Sequence, residues 1–257
     1  MSQLDEDLNI ARKAAKAGAE IIRDQFGGNT DAKIKGSSQT LVTDTDLAAE
    51  QAILKVLSEN SGYGIISEES GQTSITDGPQ WVVDPLDGTS NFARGVPLFA
   101  VSIGLLNGSE GRVGVIVDPI HQKEYFALKN GGAFVNGIPI HEKELINPKA
   151  ALFVNHGHKQ EDCLKYGKVT QHLAGTCSLR TLGTTALELC YVATGAYDGF
   201  ICSGDELWDY AAGMVIATEA GCIFTNWQGN PWKRGEDHLL IARPEIHKKL
   251  VDVLSVL

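Results

Sequence analysis

The chain has 257 residues, 43% hydrophobic and 21% charged, a composition that suits a globular protein with a sizeable core. A formal net charge of −10 argues against a nucleic-acid-binding surface, and no apolar run reaches the roughly 20 residues that span a bilayer. The acidic N-terminus lacks the apolar segment of a signal peptide, and five cysteines without CxxC spacing are typical of reduced thiols, so we expect a cytoplasmic protein.

Two helices are predicted near the N-terminus. Apolar residues at steps of three, four or seven indicate an amphipathic helix over 4–26, and a second helix is expected over about 46–60. Asp46 is the expected N-cap of the second helix, because its side chain can accept a hydrogen bond from a free N–H group of the first turn. A polar loop that begins at Lys35 precedes this helix.

Residues 63–67 form a predicted strand that ends at Glu68 and Glu69. Two acidic residues at a strand end are usually solvated, and they gain interest only if other acidic groups face them. Because consecutive strands often lie side by side, the strand predicted over 81–84 should place Asp84 at the same end of the sheet as Glu68.

The stretch that follows this second strand carries a strong chemical signal. Its apolar beginning predicts a buried strand that leads to Asp84, and Pro85 should end the strand, since proline lacks an N–H group and has a fixed φ. Asp87 comes three residues after Asp84, across a predicted tight turn. Two carboxylates at one loop suit a hard cation such as Mg²⁺.

The same loop offers backbone N–H groups. Gly88 lets the backbone approach a ligand closely, and Thr89 and Ser90 are good N-cap residues for a following helix. Free N–H groups at a helix start suit a phosphate, so the loop could hold a metal–phosphate complex. An Asp-Pro turn followed by a capped helix is the alternative interpretation.

An antiparallel meander is predicted after this loop, and Asn136-Gly137 is a strong hairpin-turn signal. Its strands are expected over 99–106, 112–118, 124–128 and 133–135. Further along the chain, strands are expected over 151–154, 178–181, 200–201, 222–224 and 239–242, and helices over about 184–194, 208–220 and 244–255.

Several polar stretches of this later part have two interpretations. His156 and His158 could bind a metal, but a surface loop is favoured because no third ligand is near in sequence. The loop from Gly183 to Thr185 could line a ligand or cap the helix that it opens, and Asp209 could be an N-cap or a ligand. A polar loop is expected over 202–207.

The chain resembles the inositol monophosphatase family over nearly its whole length. The resemblance rests on Glu68-Glu69, on the Asp-Pro-Leu-Asp-Gly-Thr stretch of 84–89 and on Trp208-Asp209, which occur in the family's order. It implies an α/β fold with α-β-α-β-α layers and a Mg²⁺-dependent phosphomonoesterase with two or three ions per site.

The resemblance also implies a role for each matching acidic residue. Glu68, Asp84 and the Leu86 carbonyl would hold one Mg²⁺. Asp84, Asp87 and Asp209 would hold a second ion, and Glu68 would help to position a third, weaker one.

Other matching residues would serve the water and the phosphate. Glu68 and Thr89 would orient the attacking water, and Asp46 would hydrogen-bond Thr89. The N–H groups of Gly88 and Thr89 would bind the phosphate, and Lys35 matches a loop lysine near the metals.

Substrate specificity is implied for a further group. Inositol-specific members carry a glutamate seven residues before the Trp-Asp aspartate, where this chain has Cys202, and Asp205 or Glu206 of the same loop could replace it. Thr185 stands where the family more usually has alanine. The other implied substrate-side positions are Asp87, Gly88, Thr89, Gly183, Thr184 and Asp209, and Glu69 is a further candidate site residue without an assigned role.

Inositol monophosphate is the expected substrate, and fructose 1,6-bisphosphate, histidinol phosphate and a nucleotide 3′-phosphate are the alternatives. A catalytically weak relative with a regulatory or interaction role is the non-enzymatic alternative, although every metal-ligand position is intact. The resemblance further implies a homodimer without nucleic-acid or membrane partners. Its expected domain organisation is a single domain over 1–257, with most metal ligands in the half over about 1–148 and the substrate loops in the half over about 149–257.

Overall fold

The computed structural model describes residues 2–28, 33–35, 40–72, 78–141 and 149–256. The helices in this part of the chain are α1 (Gln3–Gln25), α2 (Asp44–Asn60), α3 (Thr89–Ala93), α4 (Gln160–Leu173), α5 (Thr185–Ala193), α6 (Leu207–Glu219) and α7 (Pro244–Leu254). The strands up to the middle of the chain are β1 (Lys33–Lys35), β2 (Thr40–Val42), β3 (Gly64–Ser67), β4 (Gly71–Gln72), β5 (Gln80–Asp87), β6 (Ala100–Asn107), β7 (Glu110–Asp118), β8 (Lys123–Leu128), β9 (Gly132–Val135) and β10 (Ile138–Pro139). The later strands are β11 (Ala151–His156), β12 (Ser178–Arg180), β13 (Gly199–Ser203), β14 (Ile223–Thr225) and β15 (His238–Ala242).

The larger sheet has eight strands in the order β10-β9-β8-β7-β6-β5-β3-β4. Side chains of β5 alternate between its two faces, as the period of a strand requires. Trp81 and Val83 are fully buried in a core shared with α1 and α2, whereas Val82 is buried in a second core shared with α5 and α6. Two helical layers therefore cover this sheet.

The smaller sheet has five strands in the order β12-β11-β13-β15-β14. Phe153 and Phe200 on one face join the core of α5 and α6, whereas Leu152 and Ile201 on the other face pack with residues of α4 and α7. The layers are therefore α1/α2, large sheet, α5/α6, small sheet and α4/α7. This arrangement confirms the predicted α-β-α-β-α fold.

Strands β3 and β5 are parallel neighbours, as predicted, with Ser67 opposite Val83. The pairing continues one residue further, because the Glu68 N–H group donates to the Val83 carbonyl oxygen at 3.1 Å. Glu68 and Asp84 therefore lie side by side at the end of these strands.

The prediction that Pro85 ends its strand is wrong. Strand β5 continues to Asp87, and its pairing with β6 shifts between Asp84, opposite Ser102, and Asp87, opposite Ala100. Two residues of β5 between these pairs oppose one residue of β6, which is a β-bulge. Proline is tolerated at a bulge because no ladder hydrogen bond is required of it there.

Two predicted helix caps are also wrong. Thr43, not Asp46, is the N-cap of α2, and Asp46 lies in the first turn, where its carboxylate accepts from the Thr43 N–H group at 2.8 Å. The N-cap of α3 is Gly88 in the left-handed conformation (φ 95°), rather than Thr89 or Ser90.

Other differences concern element boundaries. Helix α4 was not predicted, and Cys202 belongs to β13 rather than to a polar loop, because strand pairing with β11 and β15 extends to Ser203. The Asn136-Gly137 turn between β9 and β10 is confirmed, with both residues at positive φ.

No helix among the described residues combines the length and apolarity needed to cross a membrane. All five cysteines are free thiols.

Candidate active site

Four acidic side chains from three parts of the fold line one cavity of about 410 Å³. Glu68 follows β3, Asp84 and Asp87 lie on β5, and Asp209 lies in the first turn of α6. The described lining of the cavity comprises Leu41, Glu68, Asp84, Leu86, Asp87, Gly88, Thr89, Ser90, Arg94, His158, Gly183 and Asp209. The sequence motifs that are far apart along the chain thus meet at the rim of the large sheet.

The bulge in β5 places both aspartates on one face. Residues three apart in a regular strand point to opposite faces. The extra residue changes this relation, because Asp84 and Asp87 pair with Ser102 and Ala100, which are two apart. Both carboxylates therefore face the α5/α6 layer, where α6 begins near Asp209.

The turn after β5 depends on Gly88. Its φ of 95° lies in the left-handed region that favours glycine, and a Cβ at this position would lie 2.9 Å from the Leu98 carbonyl oxygen. The chain then enters α3 at Thr89. Any side chain at Gly88 would move the loop that lines the cavity.

The start of α5 fixes the orientation of Asp87. The Thr184 hydroxyl donates to Asp87 Oδ2 at 2.5 Å, and the Ala186 N–H group donates to the same oxygen at 2.8 Å. The small-residue loop that begins at Gly183 therefore orients one of the four carboxylates in addition to lining the cavity. The first N–H groups of a helix have no intrahelical partner and suit a carboxylate.

Thr89 is hydrogen-bonded on the side away from solvent. Its hydroxyl lies 2.9 Å from Asp46 Oδ1 and 3.0 Å from the Leu86 carbonyl oxygen, and one hydroxyl proton can serve only one of these acceptors at a time. Asp46 is fully buried and also accepts from Thr43. Burial raises the pKa of Asp46, and the hydrogen bonds from Thr43 and Thr89 partly offset this rise.

Glu50 of α2 holds the turn that carries Glu68, and sequence reasoning missed it. Its Oε1 accepts from the Ser67 hydroxyl, from the N–H groups of Glu69 and Ser70 at 3.2 and 3.0 Å, and from the Ser70 hydroxyl at 3.2 Å. Glu50 lies four residues after Asp46, so both project from one face of α2. That spacing is the signal from which its position could have been inferred.

Burial and mutual repulsion perturb the carboxylates of the cavity. Burial, followed by the charges of Glu68, Asp87 and Asp209, raises the pKa of Asp84 well above its ordinary value. Burial, followed by the charges of Asp205, Asp87 and Glu68, does the same to the pKa of Asp209. Burial raises the pKa of Asp87 to about 7. A cation between these groups would remove the repulsion.

The available donors fit a hard divalent cation. The acidic part of the lining supplies four carboxylates and the Leu86 carbonyl, all oxygen donors, and Mg²⁺ prefers oxygen ligands. Among the described residues, no three His, Cys, Asp or Glu side chains are already gathered as ligands around one point. The carboxylates thus share a cavity, and ions would have to draw them closer together.

Other residues predicted for the site lie outside the described lining. Cys202 is fully buried in β13, and Asp205 accepts from the Thr185 hydroxyl at 2.9 Å. Glu206 is the N-cap of α6, and its N–H group donates to Asp209 at 2.8 Å. Glu69 contacts Glu50 through its backbone. The Lys35 side chain lies outside the described residues.

Four lining residues were not predicted for the site, namely Leu41, Ser90, Arg94 and His158, and two of these are basic. Arg94 ends α3, and His158 follows β11 in the loop that was interpreted as surface. Both are exposed. The folding of the loops brings Arg94 and His158 to the cavity, and no spacing in the sequence predicts that they lie there.

Known proteins resemble the chain along its whole length. A family model described as the inositol monophosphatase family matches residues 3–255. The chain is 34% identical over 254 residues to the Nus factor SuhB of Pasteurella multocida. This alignment covers 96% of this chain and 95% of the relative. The chain is 35% identical over 265 residues to an inositol monophosphatase of Mesembryanthemum crystallinum, and this alignment covers 98% of this chain and 97% of the relative. The solved structure of the extragenic suppressor protein SuhB from Bartonella henselae matches with a TM-score of 0.89 at 29% identity, over 96% of this chain and 98% of that one.

Proposed function

Because the chain belongs to the inositol monophosphatase family, whose members are metal-dependent phosphoric monoester hydrolases, we propose that it is a Mg²⁺-dependent phosphatase of a small phosphorylated polyol or sugar. The observation that carries the proposal is the cavity shared by Glu68, Asp84, Asp87 and Asp209 beside Thr89. Inositol monophosphate is the first substrate to test. Fructose 1,6-bisphosphate, histidinol phosphate and a nucleotide 3′-phosphate complete the panel.

The acidic residues would divide between two ions. Glu68, Asp84 and the Leu86 carbonyl would hold one Mg²⁺, and Asp84, Asp87 and Asp209 would hold the other, with Glu68 near a weaker third. When bound, the cations would make a water more acidic and offset the charge on the phosphoryl oxygens. The grouping of four carboxylates in one cavity and the raised pKa values of Asp84 and Asp209 support this assignment.

Thr89 and Glu68 would orient the attacking water. When the Thr89 hydroxyl donates to Asp46, its lone pairs remain free to accept a proton from the water. As the Thr89 oxygen takes a proton from the water, the original Thr89 hydroxyl proton can pass to Asp46, because a carboxylate with a raised pKa is a better proton acceptor. The N–H groups of Gly88 and Thr89 would bind the phosphate beside the carboxylates.

A release assay tests the proposal directly. Phosphate release from the panel should require Mg²⁺, stop with EDTA and return when Mg²⁺ is restored in excess. Asp87→Asn should abolish turnover with an unchanged circular dichroism spectrum, whereas the exposed Asp252→Asn on α7 should behave as wild type. Failure of the wild-type protein to hydrolyse any panel ester would refute the proposal, and near-normal kcat of Asp87→Asn would refute the second-ion assignment.

A non-enzymatic interaction role is the second candidate, because one relative is named a Nus factor. In that case the folded protein would release no phosphate at saturating Mg²⁺.

We also propose that the protein is a homodimer, which sedimentation equilibrium would test. We further propose a cytoplasmic location, which the five free thiols favour.

A further inference from the structure

Two exposed basic side chains line the active-site cavity together with its four carboxylates, and we call this exposed part of the cavity its mouth. Of the described lining residues, only Arg94 and His158 have side chains that can bear positive charge. They come from distant parts of the chain, the end of α3 and the loop after β11. Their convergence at one cavity is therefore a product of the fold.

Arg94 is held at this mouth by its own helix. Its Nη1 donates to the Ser90 carbonyl oxygen at 3.0 Å and also to the Ser90 hydroxyl. Within the described residues, the structure gives no acceptor for the other guanidinium N–H groups, and the side chain is exposed. A guanidinium anchored at one nitrogen can present its remaining donors to an oxyanion in a fixed direction.

His158 is held by the backbone that precedes it. The Gly157 N–H group donates to the Ser203 carbonyl oxygen at 2.7 Å, and a Cβ on Gly157 would lie 2.2 Å from the Gly204 carbonyl oxygen. Only glycine permits this contact between the loop and the end of β13. The backbone immediately before His158 is thereby held against the end of β13.

Two acidic groups that could bind sugar hydroxyls, Asp205 and Glu188, are engaged elsewhere. Asp205 accepts from Thr185, and Glu188 accepts from Asn155 at 2.7 Å and from the Leu182 N–H group. Neither belongs to the described lining of the cavity. The described part of the cavity that is not acidic is therefore better suited to an anion than to a neutral polyol.

The charges of the cavity lead to the same conclusion. Four carboxylates carry up to four negative charges, which two divalent cations would balance. The positive charge that remains at the mouth is then that of Arg94, with the His158 imidazole as a further hydrogen-bonding group, and focused positive potential attracts anions. We propose that Arg94 and His158 form a subsite for a second phosphate, so that the preferred substrates are bisphosphates. This inference rests on the proposed phosphatase function.

Matched pairs of esters test the subsite. Fructose 1-phosphate and fructose 1,6-bisphosphate differ only in the second phosphate, as do adenosine 3′-phosphate and adenosine 3′,5′-bisphosphate. For at least one pair, kcat/KM should favour the bisphosphate by about tenfold or more, the worth of one hydrogen bond to a charged group. Arg94→Gln combined with His158→Gln should remove most of this preference, chiefly through KM, and Arg94→Lys should restore part of it.

Two further measurements separate this inference from the phosphatase proposal. In the Asp87→Asn background, calorimetric titration should show tighter binding of the bisphosphate, and loss of that difference when Arg94 and His158 are replaced. The exposed Arg23→Gln and His172→Gln are matched controls and should leave the preference intact. Hydrolysis of both members of each pair with equal kcat/KM would overturn the subsite and leave the phosphatase standing. Absence of all hydrolysis would overturn the phosphatase, and equal binding of the paired esters would then overturn the subsite as well.

Discussion

Replacing Glu50 should lower Mg²⁺ affinity and catalytic activity, although the substitution changes no residue of the described cavity lining. In Glu50→Leu, the buried Ser67 hydroxyl and the partly buried Glu69 N–H group lose their common acceptor. A buried donor left without a partner costs about 1–3 kcal/mol, so the two together should lower the free energy of unfolding by roughly 2–6 kcal/mol. The turn that carries Glu68 loses the contacts that fix it.

The effect on catalysis should follow from the displaced Glu68. Loss of a residue that orients a metal ligand typically costs about 10–100-fold in metal affinity or activity. We therefore expect the Mg²⁺ concentration for half-maximal activity to rise by about that factor in Glu50→Leu, with a lower kcat at saturation. The assay is phosphate release over a Mg²⁺ titration, with thermal unfolding measured at each Mg²⁺ concentration as a readout independent of turnover.

Two control variants show whether hydrogen bonding is the cause. Glu50→Gln keeps an acceptor oxygen at the same place and should retain most of the Mg²⁺ affinity. Glu59→Leu changes an exposed residue of the same helix and should have no effect on it. The reasoning is refuted if Glu50→Leu is folded and shows the wild-type Mg²⁺ dependence, or if Glu50→Gln is as impaired as Glu50→Leu.

Three other predictions follow from the same region. Thr184→Val removes one of the two donors to Asp87, so kcat/KM should fall by about 10–100-fold, and a change below twofold in a Mg²⁺-saturated assay would contradict this. Gly88→Ala should lower the free energy of unfolding in urea by at least about 1–3 kcal/mol, and by more than Gly95→Ala, which also has positive φ but no atom near its Cβ. Burial raises the pKa of Glu188 to about 8, above its ordinary value of 4.5, so the folded protein keeps a proton that the unfolded chain releases. This contribution to the free energy of unfolding is complete below pH 4.5 and is lost as the pH rises toward 8, at about 1.4 kcal/mol per pH unit. In urea titrations from pH 6 to 8, the free energy of unfolding should therefore decline less steeply with pH for Glu188→Gln than for wild type.

Local patterns were sufficient for much of the fold. The amphipathic spacing of α1 and the apolar run of β5 predicted their burial, and the neighbour rule for consecutive strands correctly placed Glu68 beside Asp84. Helix α4 was missed because its buried apolar residues, such as Val169 and Leu173, are few among polar ones. The rule that proline ends a strand failed at Pro85 because it does not consider bulges.

Contacts between distant segments could not be predicted from spacing. Thr184 and Asp87 are 97 positions apart, and nothing near either residue in sequence indicates that they meet. Arg94 and His158 each resemble ordinary surface residues when only their neighbours in sequence are considered. Such contacts depend on how the layers stack, which periodicity alone does not determine.

Asp87 belongs to the large sheet, whereas both groups that orient it begin helix α5 in the central layer. A small separation of these two layers would turn the carboxylate away before any strand had lost its partner. Enzymatic activity is then a more sensitive reporter of incipient denaturation than any spectroscopic signal of secondary structure. Inactivation at urea concentrations where the circular dichroism spectrum is still native would be the visible sign of this arrangement.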